Sequence, residues 1–228
     1  MGEREEVNSS NPHTMFSLTS RRQAVAIVLA QSVILFAGCR SSGPTSEGNA
    51  AIPATIPAGI HSSGGLHADL VTDKGTIGIE LYANDSPTAV ENFRLLAERG
   101  YYNGLVFHRI VKGFMIQGGD PTGTGSGGKS AWGGTFPDGI REDSVLYKRG
   151  YKRGIVAMAN IGPDSNGSQF FIMLKDYPLP STYVIFGNVT RGIEVLDALA
   201  DTPTVEGPDG EMSKPVTPPV LRKVTILP

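Results

Sequence analysis

An arginine stands in an otherwise largely apolar, strand-like run at residues 106–111, and its chemistry raises the first functional question. A guanidinium among apolar side chains is costly unless it has a charged partner or a task. A second apolar run at residues 114–116 follows after a short turn, which predicts two adjacent antiparallel strands. Side chains repeat every two residues along a strand, so Met115 and Gln117 share a face. Arg109 is therefore the first candidate for a functional group.

Further polar and apolar side chains accompany this arginine in the predicted strands. Any one of the apolar side chains, taken alone, is typical of a hydrophobic core. However, Gln117 and Gln169 are polar residues in the same set of predicted strands as Arg109. Apolar walls with a few convergent polar groups are typical of a binding site for a compact apolar ligand. The apolar candidates for these walls are Phe114, Met115, Phe171 and Leu179.

The glycine-rich segment at residues 123–130 satisfies the nucleotide-binding pattern G-x-x-x-x-G-K-S. Such a loop holds phosphate only when it runs from a strand directly into a helix. Asp120 and Pro121 separate the segment from the strand before it, and the A-W-G-G-T-F-P sequence at residues 131–137 cannot begin a helix. We therefore prefer a glycine loop that another backbone segment approaches closely.

The sequence offers few residues that could form a hydrolytic site, bind a metal or attract a nucleic acid. His108 lies inside the predicted domain and His67 at its edge, which is too few for a site with several histidines. A catalytic triad would have to use His108, whose side chain points away from that of Arg109; we interpret it as a core or backbone-bonded histidine. A net charge of −2 gives no electrostatic reason to expect nucleic acid. We expect no metal and no cofactor.

The elements that position these residues are predicted to be short. The 29 glycines and 16 prolines punctuate the sequence, which favours many short strands. A hairpin with a turn at residues 72–75, strands at 155–159, 169–173, 184–189 and 220–226, and helices at 87–97 and 193–200 are predicted, with a polar loop at 201–219. The absence of strand–helix–strand alternation predicts a mainly β fold, a closed eight-stranded antiparallel barrel capped by two short helices.

The N-terminal region has the features of a targeting signal. An apolar run at residues 24–37 follows two arginines and is shorter than the roughly 20 residues that cross a bilayer, so it has the length of a signal-peptide core. It ends in F-A-G-C at residues 36–39, which resembles the lipobox of bacterial lipoproteins and predicts lipid on Cys39. An uncleaved membrane anchor is the alternative. We expect an N-terminal extension and lipoprotein-type signal at residues 1–39, a flexible linker at 40–65 and a domain at 66–228, held outside the cytoplasm at the bacterial cell envelope.

Several motifs, in order, resemble the cyclophilin family of peptidyl-prolyl cis-trans isomerases, over about residues 66–228. They are F-H-R at 107–109, F-M-I-Q-G-G-D at 114–120, G-S-G-G-K-S at 125–130, M-A-N at 158–160, N-G-S-Q-F-F-I at 166–172 and Y-V-I-F-G at 183–187. The resemblance implies a cyclophilin-like fold, isomerisation of X–Pro bonds in proline-containing polypeptides, and a monomer without a cofactor.

The resemblance also implies roles for individual residues. Arg109 is expected to be catalytic, donating to the prolyl nitrogen from a cleft without an acidic partner. The substrate-binding residues are expected to be Phe114, Met115, Gln117, Gly125, Ala159, Asn160, Gln169, Phe171, Leu179 and Tyr183. The best-known members have tryptophan before the equivalent of Leu179, whereas this chain has Tyr177-Pro178. A module that binds proline segments without turnover remains the alternative function.

Overall fold

The computed structural model describes residues 65–228, so the predicted signal, Cys39 and all but the last residue of the predicted linker lie outside the described residues. The helices are α1 (Pro87–Glu98), α2 (Val145–Arg149) and α3 (Ile193–Ala200). The strands are β1 (Leu66–Thr72), β2 (Gly75–Leu81), β3 (Leu105–Val106), β4 (Arg109–Val111), β5 (Met115–Gly118), β6 (Ile155–Met158), β7 (Phe170–Met173), β8 (Ile185–Arg191), β9 (Thr204–Glu206), β10 (Met212–Pro215) and β11 (Val220–Leu227).

Nine of these strands form one curled antiparallel sheet in the order β3-β11-β1-β2-β8-β6-β7-β5-β4. The prediction of a closed eight-stranded barrel is therefore wrong, although the mainly β class is confirmed. The two edge strands, β3 and β4, are consecutive in the chain and only Phe107 and His108 separate them. The backbone N–H of Phe107 donates to Pro219 O at 2.9 Å, so the chain follows β11 and then crosses to β5. In the register of the sheet β3 pairs with β11 and β4 pairs with β5, so the sheet stays open between its two edge strands.

A separate two-stranded hairpin, β9 and β10, occupies part of the segment predicted to be a polar loop, so that prediction is wrong. Its strands expose Val205 and Met212, and the buried side of the hairpin is carried by Ser213 and Pro215. Because the exposed positions are the apolar ones, the hairpin lacks the alternation by which a half-buried strand is recognised in a sequence.

The predicted helices at 87–97 and 193–200 are confirmed as α1 and α3, and α2 is an additional five-residue helix. Helix α1 begins after Ser86 with proline in its first turn, as expected. The Ser86 hydroxyl does not cap the helix and instead donates to Ile185 O at 2.5 Å, which ties α1 to β8. Gly100, with φ of 69°, ends the helix in the left-handed conformation that glycine adopts readily.

The core lies between the sheet and the helices α1 and α3. Phe93 of α1 is fully buried and its ring contacts those of Tyr102, Phe170 and Phe186 at centroid distances of 5.1 to 5.7 Å. Such offset and edge-on contacts add to the hydrophobic burial of the rings. Among residues 65–228 no helix is both long enough and apolar enough to cross a membrane.

Candidate active site

One row of opposed residues crosses four neighbouring strands and carries the predicted arginine. Arg109 of β4 pairs with Gln117 of β5, Gln117 pairs with Phe171 of β7, and Phe171 pairs with Ala157 of β6. Directly opposed residues of antiparallel strands point to the same face of a sheet. Met115 lies two residues before Gln117 and so also lies on this face. The sheet register therefore brings Arg109, Gln117, Met115 and Phe171 together.

The apolar side of this face is a set of buried side chains with aromatic neighbours. Met115 and Phe171 are almost completely buried. The ring of Tyr183 packs edge-on against Phe171 with centroids 5.5 Å apart. Burial raises the pKa of the Tyr183 phenol, against the opposing influences of Thr182 and Arg109, so the ring stays neutral at physiological pH. The combination is an apolar surface with a polar margin.

Phe114 and Leu179 are connected to each other through a shared neighbour, Tyr177. The rings of Phe114 and Tyr177 lie 4.7 Å apart, and the backbone N–H of Leu179 donates to Tyr177 O at 2.9 Å. Phe114 and Leu179 are each only half-buried. Tyr177 thus joins two predicted site residues, at the place where the resemblance marked a departure from tryptophan.

The predicted polar residues form a connected chain of hydrogen bonds. Gln117 Nε2 donates to Gln169 Oε1 at 2.8 Å. Gln169 Nε2 in turn donates to Gly125 O at 3.0 Å and Gly127 O at 2.8 Å. The two glutamines thus connect the strand row to the glycine-rich segment and fix the distance between them.

Ala159 and Asn160 lie directly after β6 and continue this margin. The backbone N–H of Ala159 donates to Gln169 O at 2.9 Å. Asn160 donates from Nδ2 to Thr182 O at 2.8 Å, which places it beside Tyr183. Hydrogen bonds thus tie Gln169, Ala159 and Gly125 to the face that carries Gln117 and Phe171. Phe114 and Leu179 are connected to each other through Tyr177.

Arg109 is ion-paired, and the expectation of a guanidinium without an acidic partner is wrong. Its Nε lies 3.1 Å from Asp209 Oδ2 and its Nη2 lies 3.0 Å from Glu211 Oε2. Its third nitrogen, Nη1, lies 3.9 Å from Met115 Sδ. Two of the three nitrogens therefore face carboxylates, while the third faces the buried apolar surface.

Asp209 is itself held by its own turn. The Ser213 hydroxyl lies 3.1 and 3.4 Å from its two carboxylate oxygens, and the backbone N–H of Glu211 donates to it at 3.1 Å. Partial burial raises the pKa of Asp209, but the hydrogen bonds from Glu211, Arg109 and Ser213 outweigh it and the pKa falls below its usual value. Asp209 is consequently ionised at neutral pH.

Sequence reasoning missed Asp209 and Glu211 because they lie in the segment interpreted as a polar loop. A signal was present: Pro208-Asp209-Gly210 is turn chemistry between Thr204–Glu206 and Met212–Pro215. Recognising that hairpin would have placed two acidic residues at a turn. It would not have shown that the turn lies against β4.

Backbone N–H groups of the glycine-rich segment and of Thr122 surround the carboxylate of Asp120, which precedes the segment in the chain. Backbone N–H groups of Thr122, Thr124, Gly125 and Gly127 donate to Asp120 at 2.6 to 3.2 Å. Burial raises the pKa of Asp120, but the bonds from Thr122, Gly127 and Gly125 outweigh it and lower the pKa. The amides that would face a phosphate are thus already occupied, which argues against nucleotide binding here.

His108 has buried ring nitrogens with no hydrogen-bond partner among the described residues. Of the two interpretations, the backbone-bonded histidine is therefore wrong, whereas a core histidine agrees with the buried ring nitrogens. Burial lowers its pKa, which Asp120 opposes and Arg109 reinforces, so the imidazole is neutral at physiological pH.

Comparison with known proteins covers most of the described region. Residues 67–226 match the family model described as cyclophilin type peptidyl-prolyl cis-trans isomerase/CLD. The chain is 48% identical over 162 residues to peptidyl-prolyl cis-trans isomerase CYP18-1 of Arabidopsis thaliana, covering 71% of this chain and 96% of that protein. It is 48% identical over 142 residues to peptidyl-prolyl cis-trans isomerase-like 3 of Homo sapiens, covering 62% and 86%.

Solved structures give the same result. A crystal structure of a Cryptosporidium parvum cyclophilin type peptidyl-prolyl cis-trans isomerase superposes with a TM-score of 0.65 at 37% identity, covering 72% of this chain and 99% of that chain. A structure of the same protein in the presence of the dipeptide Ala-Pro superposes with a TM-score of 0.64 at 38% identity, covering 71% and 99%.

Proposed function

This chain belongs to the cyclophilin family of peptidyl-prolyl cis-trans isomerases, and from that premise we propose that Arg109 and the apolar face beside it isomerise X–Pro bonds in polypeptides. The observation that carries the proposal is the position of Arg109 Nη1, 3.9 Å from Met115 Sδ. Met115 and Phe171 lie on the same face of the sheet as Arg109. A cationic donor at the edge of a buried apolar surface suits a proline ring whose nitrogen must be reached.

The reaction makes and breaks no covalent bond. Rotation about the X–Pro bond faces a barrier of about 18–20 kcal/mol that arises from amide resonance. In the twisted transition state the prolyl nitrogen becomes pyramidal and regains a lone pair. A donor aimed at that nitrogen binds the transition state more strongly than either planar state, which is the requirement for catalysis.

Substrate binding is divided between the two sides of the site. Phe114, Met115, Phe171 and Leu179 hold the proline ring, with Tyr183 at the edge. Gln117 and the backbone around Gly125, Ala159, Asn160 and Gln169 hold the residues that precede the proline. An anchored chain on one side and an anchored ring on the other leave the bond between them to rotate.

The test of this proposal is Arg109→Ala in an assay of proline-peptide isomerisation. We expect a loss of about two to three powers of ten in kcat/KM, which corresponds to about 3–4 kcal/mol. Arg222→Ala, which removes an exposed arginine of β11, is the matched control and should leave the rate unchanged. Near-normal turnover by the Arg109 variant, with the fold intact, would refute the role.

A second function, a module that binds proline segments without turnover, is favoured by the two carboxylates on Arg109. Neutralised in this way, the guanidinium would serve only to shape the pocket. Turnover by the unmodified protein separates the two functions. A protein that binds a proline peptide but does not accelerate its isomerisation would support the module and oppose the enzyme.

The location of the protein is proposed from the N-terminal sequence. The apolar run at residues 24–37 and the F-A-G-C motif at 36–39 support a lipoprotein signal, with lipid on Cys39 and the domain outside the cytoplasm at a cell envelope. There the enzyme would assist the folding of proline-containing proteins. The mass of the mature N-terminus tests this: a chain that begins at Cys39 and carries acyl groups supports it, and an uncleaved unmodified chain overturns it.

A further inference from the structure

We propose that Asp209 and Glu211 are positioning residues for Arg109, which they hold so that one nitrogen is presented to the prolyl nitrogen. The inference rests on the proposed function of Arg109. It assigns a task in the reaction to a hairpin turn that lies 100 residues away from the arginine in the chain.

The two carboxylates hold the guanidinium of Arg109 in one orientation, which is the first argument for this role. Asp209 takes Nε at 3.1 Å and Glu211 takes Nη2 at 3.0 Å, on two different nitrogens of one planar group. A guanidinium held at two nitrogens can rotate neither about its long axis nor in its plane. Its remaining nitrogen, Nη1, is thereby directed at Met115 and at the apolar face.

The burial of the groups is the second argument. The side chains of Arg109 and Asp209 are 13% and 18% exposed, whereas that of Glu211 is 39% exposed. Ion pairs in full solvent are weak, but partial exclusion of water strengthens the contact between Arg109 and Asp209. Asp209 is thus the principal anchor of the guanidinium, and Glu211 supplements it.

The rigidity of the anchor is the third argument. Ser213 is almost fully buried, and its hydroxyl contacts both carboxylate oxygens of Asp209. The turn is closed by Gly207 N–H to Glu211 O at 2.7 Å and Gly210 N–H to Gly207 O at 3.0 Å. Because Ser213 and the backbone of Glu211 hold the carboxylate of Asp209 in place, Asp209 can hold the guanidinium of Arg109 in place.

The physical benefit is preorganisation. A free arginine side chain has many rotamers, and ordering it only in the transition state would raise the barrier. Donors that are already aimed at the point where the lone pair develops need no reorganisation during the reaction. The opposite possibility is that the carboxylates compete with substrate for Arg109, and it predicts a faster enzyme when they are removed.

The test compares Asp209→Ala, Asp209→Asn and Glu211→Gln in the full chain, with Glu206→Gln as the matched control. Glu206 is an exposed carboxylate on β9 of the same hairpin. We expect Asp209→Ala to lower kcat about tenfold while KM changes less than about twofold, because a misdirected donor affects the transition state and not the bound peptide. Asp209→Asn keeps an acceptor oxygen for Nε and should recover part of the loss.

Glu211→Gln should lower kcat by about twofold to threefold, and Glu206→Gln should leave it unchanged. Asp209→Ala placed in Arg109→Ala should have no further effect on kcat, since a positioning residue acts only through the group it holds. If Arg109→Ala is harmless, the proposed function fails. If Arg109→Ala is harmful but Asp209→Ala leaves kcat unchanged, raises it, or changes KM and kcat equally, only the positioning role is overturned.

Discussion

Two aspartates, Asp120 and Asp209, show how differently one type of side chain can be used near the candidate site. Asp120 lies just before the glycine-rich segment and accepts hydrogen bonds from backbone N–H groups two to seven residues further along the chain. Asp209 lies in the hairpin turn and accepts a bond from Arg109, 100 residues away. The first carboxylate shapes its own loop, whereas the second connects its loop to the site. Removal of the first should therefore affect stability, and removal of the second should affect rate.

The largest expected effect on stability comes from Asp120→Ala. This change leaves backbone N–H groups of Thr122, Thr124, Gly125 and Gly127 without their acceptor, and we expect the free energy of unfolding to fall by about 3–5 kcal/mol. Urea unfolding measures it, with the exposed Asp143→Ala as the control. If Asp209→Ala destabilises the fold as much as Asp120→Ala does, the contrast between the two carboxylates is lost.

A smaller loss of stability is expected from Gly119→Ala, which tests the close contact between Gly119 and the backbone of Ser168. Gly119 has φ of 86°, and a Cβ there would lie 2.5 Å from Ser168 O. We expect a loss of about 2–4 kcal/mol from the collision and the backbone conformation together.

Gly113→Ala is the matched control, because Gly113 has φ of 72° but nothing within 4 Å of the added carbon. That variant should lose only about 1–2 kcal/mol, the cost of the left-handed conformation alone. Thermal and urea unfolding compare the pair. Equal losses in both variants would show that the contact with Ser168 contributes nothing.

The smallest effect, a reduction in kcat, is expected from Ser213→Ala, which tests how Asp209 is supported in the hairpin. Losing the hydroxyl removes one support of Asp209 and leaves its backbone bond to Glu211 in place. We expect kcat for a proline peptide to fall about twofold to threefold. Ser126→Ala, at an exposed position of the glycine-rich segment, should leave kcat unchanged. A larger fall than in Asp209→Ala would mean that Ser213 acts by another route.

The parts of the site that follow from local pattern were predictable. The adjacency of β4 and β5 and the shared face of Met115 and Gln117 come from strand periodicity and a short turn. Helix α1 begins and ends where Ser86, Pro87 and Gly100 indicate. These features depend on residues that are neighbours in sequence, so the sequence carries them directly.

The parts that depend on distant packing were not predictable in the same way. The open edge of the sheet follows from the pairing of β3 with β11 and of β4 with β5, rather than of β3 with β4. The partners of Arg109 depend on where a hairpin with exposed apolar side chains comes to rest. Neither property leaves a periodic trace in the sequence, since each is decided by contacts between segments about 100 residues apart.

The position of β4 at the end of the strand order has a consequence for a protein that handles extended polypeptides. An outermost strand offers unpaired backbone groups, and such a margin can recruit a passing chain into the sheet. Here β10 lies beside β4. The charged contacts at its turn hold it there, next to Arg109. The hairpin thus lies along the open edge of the sheet, so an extended chain that approaches β4 meets the hairpin before it meets unpaired backbone.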